Sequence, residues 1–146
     1  MNHEIVLLSG PNLDLLGERS PEIYGPTTLA EHVARFTELA SGAGFSVRHL
    51  QSNFEGELIE AVHQARGRAA AIVINAGALT HSSWALADAL STFEGVKIEV
   101  HLTNPAAREP FRHLSTLAGV VSGTVAGFGA TSYDLAFDAV RRLVQP

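Results

Sequence analysis

Glu99 and His101 stand two residues apart in the run Val96-Lys-Ile-Glu-Val-His-Leu102, most of which is apolar. In an extended strand residues i and i+2 point to one face. A carboxylate and an imidazole sharing a buried face are costly unless they pair. A working pair would use Glu99 to fix the tautomer and orientation of His101 as an acid or base. A purely structural pair at a strand end satisfies the same spacing, and spacing alone supports both readings.

A second chemical set lies far upstream. The stretch Gly10 to Gly25 follows the apolar run Ile5-Val-Leu-Leu8 and holds Asn12, Arg19 and Tyr24. Connections in compact domains run a few residues, and loops beyond about 12–15 tend to be functional lids or disordered. A disordered segment seldom keeps Leu13, Leu15, Leu16 and Ile23, so residues 17–25 read as a lid. A phenol serves as a base when neighbouring cations favour its ionised form. Arg19, in the same loop, and Arg108 are the candidates. A tyrosinate facing an imidazole acid suits abstraction of a proton beside a carbonyl, with a leaving group protonated on the other side. As a hydrophobic plug for the lid, Tyr24 would need no chemistry.

Further polar residues cluster behind other apolar runs. Asn75 and His81 follow Ala69–Ile74; Asn75 also suits a turn, and His81 a helix cap. Leu102 and Thr103 end the run that bears Glu99. Arg108 and Arg112, at i, i+4, suggest a carboxylate or phosphate ligand or a solvated helix face. Asp88 falls mid-helix, where exposure is the ordinary outcome. Gly127-Phe-Gly129 precedes a helix and hints weakly at anion binding. His81, Ser82/Ser83 and Asp88 invite a triad reading that no GxSxG elbow supports. His81, Glu99 and His101 lack HxH or HExxH spacing, so no metal is expected.

The elements needed to position these residues alternate regularly. Strands are expected at Ile5–Leu8, Phe45–Gln51, Ala69–Ile74, Val96–Leu102 and Val120–Ala126. One helix starts at Thr28-Leu-Ala-Glu31, which has capping-box spacing, with Leu29, Val33, Phe36, Leu39 and Ala40 at helical period. Others carry Leu58, Ile59, Val62 and Ala65, then Trp84, Leu86, Ala87 and Leu90. A short helical piece is expected at Ala107–Leu114, and a last helix at Thr131–Val144 with Leu135, Val140 and Leu143 inward. The expected fold is an α/β flavodoxin-like open doubly wound five-stranded parallel sheet, order 2-1-3-4-5, forming a single domain over residues 1–146. Ligands bind such sheets beyond the carboxyl ends of the strands, at the switch between strands 1 and 3. All the polar clusters fall at that end.

Composition agrees with a small-molecule site. The chain has 146 residues, 46% of them hydrophobic, enough for one core. There is no cysteine, which excludes disulfides and thiol chemistry. Net charge is −5 without a Lys/Arg cluster, which argues against nucleic acid. No long apolar run or signal-like start is present, so no membrane partner is expected and the expected compartment is the cytoplasm.

Four segments together resemble the type II 3-dehydroquinate dehydratases: Gly10-Pro-Asn-Leu-Asp-Leu-Leu-Gly…Arg19…Pro21-Glu-Ile-Tyr-Gly25, Gln51-Ser-Asn-Phe-Glu-Gly-Glu-Leu58, Ile74-Asn-Ala-Gly-Ala-Leu-Thr-His81 and Glu99-Val-His-Leu-Thr-Asn…Arg108-Glu…Phe-Arg112. The resemblance spans nearly the whole chain. It implies a cofactor-free lyase that removes water from 3-dehydroquinate by anti elimination through an enolate. By that analogy Tyr24 takes the C2 proton, Arg19 and Arg108 poise it, and Asn12 holds the oxygen or water that carries enolate charge. His101, oriented by Glu99, protonates the departing hydroxyl. Asn75, His81, the backbone of Leu102 and Thr103, and Arg112 grip the substrate. Asp88 reaches a neighbouring subunit's site, implying a homo-oligomer, typically a dodecamer of trimers. Departures from the family text include Asp14, Glu18, Ala76, Leu79, Thr103 and Pro105-Ala106. Glu18, beside Arg19, is expected to compete for its charge. Two other classes fit the fold: a phosphate- or flavin-binding module, for which Gly10-Pro-Asn12 offers no Ser/Thr-rich cradle, and a catalytically silent paralogue.

Overall fold

A computed structural model describes residues 3–145. β1 (Glu4–Ser9) is followed by a 3-10 turn at Leu13–Leu15, the short α1 (Pro21–Tyr24) and α2 (Leu29–Gly42). Then come β2 (Ser46–Gln51), α3 (Glu55–Ala65), β3 (Ala71–Asn75), a 3-10 turn at Gly77–His81, α4 (Trp84–Ser91) and β4 (Val96–His101). Two 3-10 turns, Pro105–Ala107 and Pro110–His113, lead to β5 (Gly123–Ala126) and α5 (Thr131–Val144). The strands are parallel in the order β2-β1-β3-β4-β5, as the alternation of elements anticipates.

β1 and β3 are apolar throughout their middles because both faces are covered. One face packs Ile5, Leu7, Val73, Ile98 and Val100 against Phe36 of α2 and Tyr133, Phe137 and Val140 of α5. The other packs Val6, Leu8, Ile72 and Ile74 against Leu58 and Val62 of α3 and Leu86 and Leu90 of α4. Thr28 starts α2 as expected, its Oγ1 accepting the Glu31 N–H at 3.2 Å. The return contact differs from a reciprocal box: the Thr28 hydroxyl donates to Glu31 Oε1.

Three expectations need correction. Leu39 is exposed, whereas His32 is buried on the inner face of α2. Leu135 and Leu143 are also exposed, because the inward stripe of α5 runs through Tyr133, Ala136, Phe137 and Val140. That i, i+3, i+4, i+7 set places Tyr133 and Phe137 edge-on to Phe36, and Leu135 falls on its flank. The short helical piece expected over Ala107–Leu114 is present as the 3-10 turn Pro110–His113 rather than as an α-helix. Pro105 and Pro110 each open a 3-10 turn, since proline cannot donate within a continuous helix. β5 likewise begins only at Gly123, because Val120 closes a turn onto the Leu117 carbonyl.

The irregular chain beyond these turns matters for the site. On the α3/α4 face of β4, the cover over Glu99 is supplied by the irregular segment after the second 3-10 turn. Leu117 of that segment enters the core, and Thr116 binds back to the Thr80 and Ser83 carbonyls.

Candidate active site

At the switch point the ends of β1 and β3 press together. The Gly10 N–H donates to the Asn75 carbonyl at 2.8 Å. A Cβ on Gly10 would meet the Ala76 carbonyl oxygen at 2.3 Å, so only glycine fits there. The chain then turns through Asn12 in the left-handed region (φ 69°), a conformation that asparagine tolerates better than most residues. Asn53 holds it: its Oδ1 accepts the Asn12 N–H at 2.9 Å and a second bond from Gln51 Nε2. Asn53 and Gln51 sit in a motif legible in the sequence, but their partner lies 41 residues away, beyond what local patterning reports.

Beyond this turn opens a cleft lined by Asn12, Arg19, Tyr24, Asn75, His81, His101, Leu102, Thr103, Arg108 and Arg112. Of the residues to which the resemblance assigns a role, Glu99 and Asp88 are not on its wall. Glu99 stands directly behind His101. Asp88 is exposed on α4 and lies outside the cleft of its own chain.

The wall formed by β4 is deeply set. Glu99 is 1% exposed and His101 8%, and His101 Nε2 lies 2.5 Å from Glu99 Oε2. With Nε2 turned to the carboxylate, Nδ1 is the nitrogen left for a ligand. The Ser115 hydroxyl meets both oxygens of Glu99, at 3.0 and 2.9 Å. Ser115 carries no periodic or spacing signal and was not legible as a site residue.

The opposite wall is the segment expected to act as a lid. α1 sits between Ser20 (φ 42°) and Gly25 (φ 85°), both left-handed. Tyr24 Oη accepts from Arg108 Nη2 at 2.9 Å, and the Arg19 guanidinium carbon is 5.1 Å from the Tyr24 ring centroid. Arg108 thus reaches the phenol oxygen, while Arg19 lies over the ring. Arg108 is itself held, donating to Thr103 Oγ1 and accepting through its carbonyl from His113. Among the described residues Glu18 makes no ion pair with Arg19, so the expected competition is absent from this geometry.

On the floor, His81 Nδ1 donates to the Leu114 carbonyl at 2.7 Å. It does not cap α4, a role filled by Ser83 accepting the Leu86 N–H. Ser83 also donates to Glu55, which leaves no triad with Asp88. Asn75 Oδ1 accepts the Gly77 N–H. Arg112 donates through Nε to Glu109 at 2.8 Å; its guanidinium holds the Glu109 carboxyl below its ordinary range. Arg108 and Arg112 converge on the cleft from successive 3-10 turns rather than along one helix face. Behind Gly127-Phe-Gly129, the Thr131, Ser132 and Tyr133 N–H groups bind the Phe128, Gly129 and Ala130 carbonyls. The first turn of α5 has thus used the donors an anion would need. No set of three or more His, Cys, Asp or Glu among the described residues is arranged to hold a metal, and no helix among them is long and apolar enough to cross a membrane.

The cleft has three guanidiniums on its walls, an imidazole backed by a buried carboxylate, and a phenol bound by a cation. It lies beyond the carboxyl ends of β1, β3 and β4. Fold and site together define a flavodoxin-like α/β enzyme domain built to take a small anionic molecule. The model of the class II dehydroquinase family matches residues 3–141. A 3-dehydroquinate dehydratase of Synechococcus sp. (strain CC9902) is 53% identical over 136 residues, 93% of each chain. One from Cereibacter sphaeroides (strain ATCC 17029) is 51% identical over 143 residues, 98% of this chain and 95% of that one. The crystal structure of type II dehydroquinase from Butyrivibrio crossotus DSM 2876 superposes with a TM-score of 0.93 at 37% identity, covering 96% and 98% of the two chains. The chain belongs to the class II dehydroquinase family.

Proposed function

We propose that this chain dehydrates 3-dehydroquinate to 3-dehydroshikimate by anti elimination through an enolate. The observation that carries the reading is the pairing of two proton-transfer groups across one cleft, Tyr24 bound by Arg108 and His101 bound by Glu99. Tyr24, as phenolate supported by Arg108 and Arg19, takes the C2 proton. The electron pair moves onto the carbonyl oxygen, whose charge is met by a water or oxygen held at Asn12. The enolate then expels the C1 hydroxyl, which leaves as water with a proton from His101. The cycle closes when the proton gained by Tyr24 is returned, through solvent, to His101. Arg112 takes the substrate carboxylate through nitrogens that Glu109 leaves free, and Asn75, His81 and the backbone of Leu102 and Thr103 hold its hydroxyls.

The reaction needs no cofactor or metal, and chelator should leave the rate unchanged. The same step serves aromatic biosynthesis and quinate breakdown. We further place the enzyme in the cytoplasm as a homo-oligomer, a dodecamer of trimers in which Asp88 completes a neighbour's site. The test is to incubate purified protein with 3-dehydroquinate and follow the absorbance of the conjugated enone. A flat trace would reject the reading and leave a binding module or a silent paralogue.

A further inference from the structure

The Ser115 hydroxyl occupies an unusual position in this network. Its oxygen accepts two backbone bonds, from the Leu117 N–H at 3.2 Å and the Ala118 N–H at 3.1 Å. A hydroxyl has two lone pairs and one hydrogen. With both lone pairs engaged by N–H donors, the hydrogen has one direction left, toward Glu99. There it straddles the carboxylate, 3.0 Å from Oε1 and 2.9 Å from Oε2. Glu99 Oε2 also meets His101, whereas Ser115 is the side-chain partner of Oε1. The carboxylate plane is therefore pinned at two points, by His101 on Oε2 and by Ser115 on Oε1. The turn at Leu117 and Ala118 is in turn anchored by the buried Leu117 and by Thr116 on the Thr80 and Ser83 carbonyls.

We propose that Ser115 is a positioning residue for the elimination, a hydroxyl made an obligatory donor by its backbone partners, which compels Glu99 to act as an acceptor squared to His101. It rests on the reading of His101 as the general acid. Ser115 touches neither the cleft nor the reacting atoms; it acts through Glu99, as outer-shell groups orient the ligands of a metal. The buried carboxylate without it would keep one oxygen unpaired and would be free to rotate about its last torsion, tilting the imidazole away from the leaving hydroxyl.

The experiment is a kinetic cycle on the full-length protein with 3-dehydroquinate. Ser115→Ala should lower kcat by about 10- to 100-fold with KM within about twofold, because the substrate grip lies elsewhere. Ser115→Thr, which keeps the hydroxyl, should recover most of the rate. In a Glu99→Gln background the same Ser115→Ala change should cost less than about twofold, since a residue acting through Glu99 has little left to act upon. Should Ser115→Ala be too unstable to purify, Ser115→Cys, with its weak donor, takes its place with the same expectations. An unchanged kcat, a loss confined to KM, or a full additional loss in the Glu99→Gln background would each overturn the proposal. Inactivity of the unsubstituted protein would instead reject the dehydratase reading, so the two failures are distinct.

Discussion

The two walls of the cleft are built on opposite principles. His101 and Glu99 project from a strand paired on both sides, with Ser115 closing the network from behind. Tyr24 ends a four-residue helix bounded by left-handed residues, and beneath that helix lies a second hollow shared with His32, Leu102 and Gly127. A strand side chain keeps its geometry whether or not a ligand is present. A short segment over a hollow is the kind of place where low-stability motion is found. His101 is held by a paired strand, whereas Tyr24 is carried on a short segment between two positive-φ residues. On the proposed reading, the difference would let the site admit its substrate and then exclude water.

The strongest way to break this contrast is to remove the proposed acid and the proposed base separately. His101→Ala and Tyr24→Phe should each lower kcat by about three orders of magnitude, within the range expected for acid–base groups. Their stabilities should then part. His101→Ala strips a partner from a carboxylate that is 1% exposed and should cost about 1–3 kcal/mol, read as a lower Tm. Tyr24→Phe removes a hydroxyl from a partly exposed residue and should leave Tm almost unchanged. Equal Tm losses would mean that the two walls are not built differently.

Arg108→Ala comes next. It removes the donor 2.9 Å from Tyr24 Oη and the contact to Thr103, and should cost about 100-fold in kcat/KM. Arg19→Ala, which loses only a ring contact, should cost less in stopped-flow or steady-state assays. The reverse order would identify Arg19 as the cation that poises the phenol.

How much of this was legible in advance follows from what each residue depends on. The sheet order and the strand-end placement of Tyr24, Asn75, His101 and Arg108 follow from alternation of apolar runs, a short-range pattern. The Glu99–His101 pair follows from period two in one strand. Ser115 and Asn53 were not readable as partners, because their contacts join segments 16 and 41 residues away across irregular chain. The exposure of Leu135 and Leu143 was misread for a related reason: several stripes on α5 are apolar, and only the position of Phe36 and Phe45 decides which one turns inward.

The lid can be probed without touching its chemistry. Gly17, at φ 91°, opens the segment, and a Cβ there would meet Thr28 Cγ2 at 3.0 Å and the Pro26 carbonyl at 3.1 Å. Gly17→Ala should strain the lid by about 1–3 kcal/mol. The loss should appear as a several-fold rise in KM, with the global Tm nearly constant because the lid is not part of the core. A Tm fall as large as that of His101→Ala would show that the lid is packed as firmly as the strand.

The smallest effect concerns the helical layer behind the lid and the edge strand, where buried titratable groups set the pH range of stability. Burial lowers the His32 and His49 imidazoles from the ordinary 6.5. Their unfolded forms bind protons first as pH falls, so stability is complete above about pH 6.5 and is lost as pH drops toward the folded values. Burial pushes the Tyr133 phenol up to about 12, partly opposed by Asn75 and Ser9. The unfolded phenol releases its proton near 10, so stability should also fall as pH rises from about 10 toward 12. Urea unfolding midpoints should therefore form a plateau between these limits. His49→Asn should remove the β2 share of the acid limb, leaving that of His32 and the alkaline limb in place, since Tyr133 lies against His32 and Phe36 on the α2/α5 layer and not on β2. A single variant that flattened both limbs would show that the edge strand and the helical layer unfold as one electrostatic unit, erasing at the level of stability the division of labour that the two walls of the cleft display.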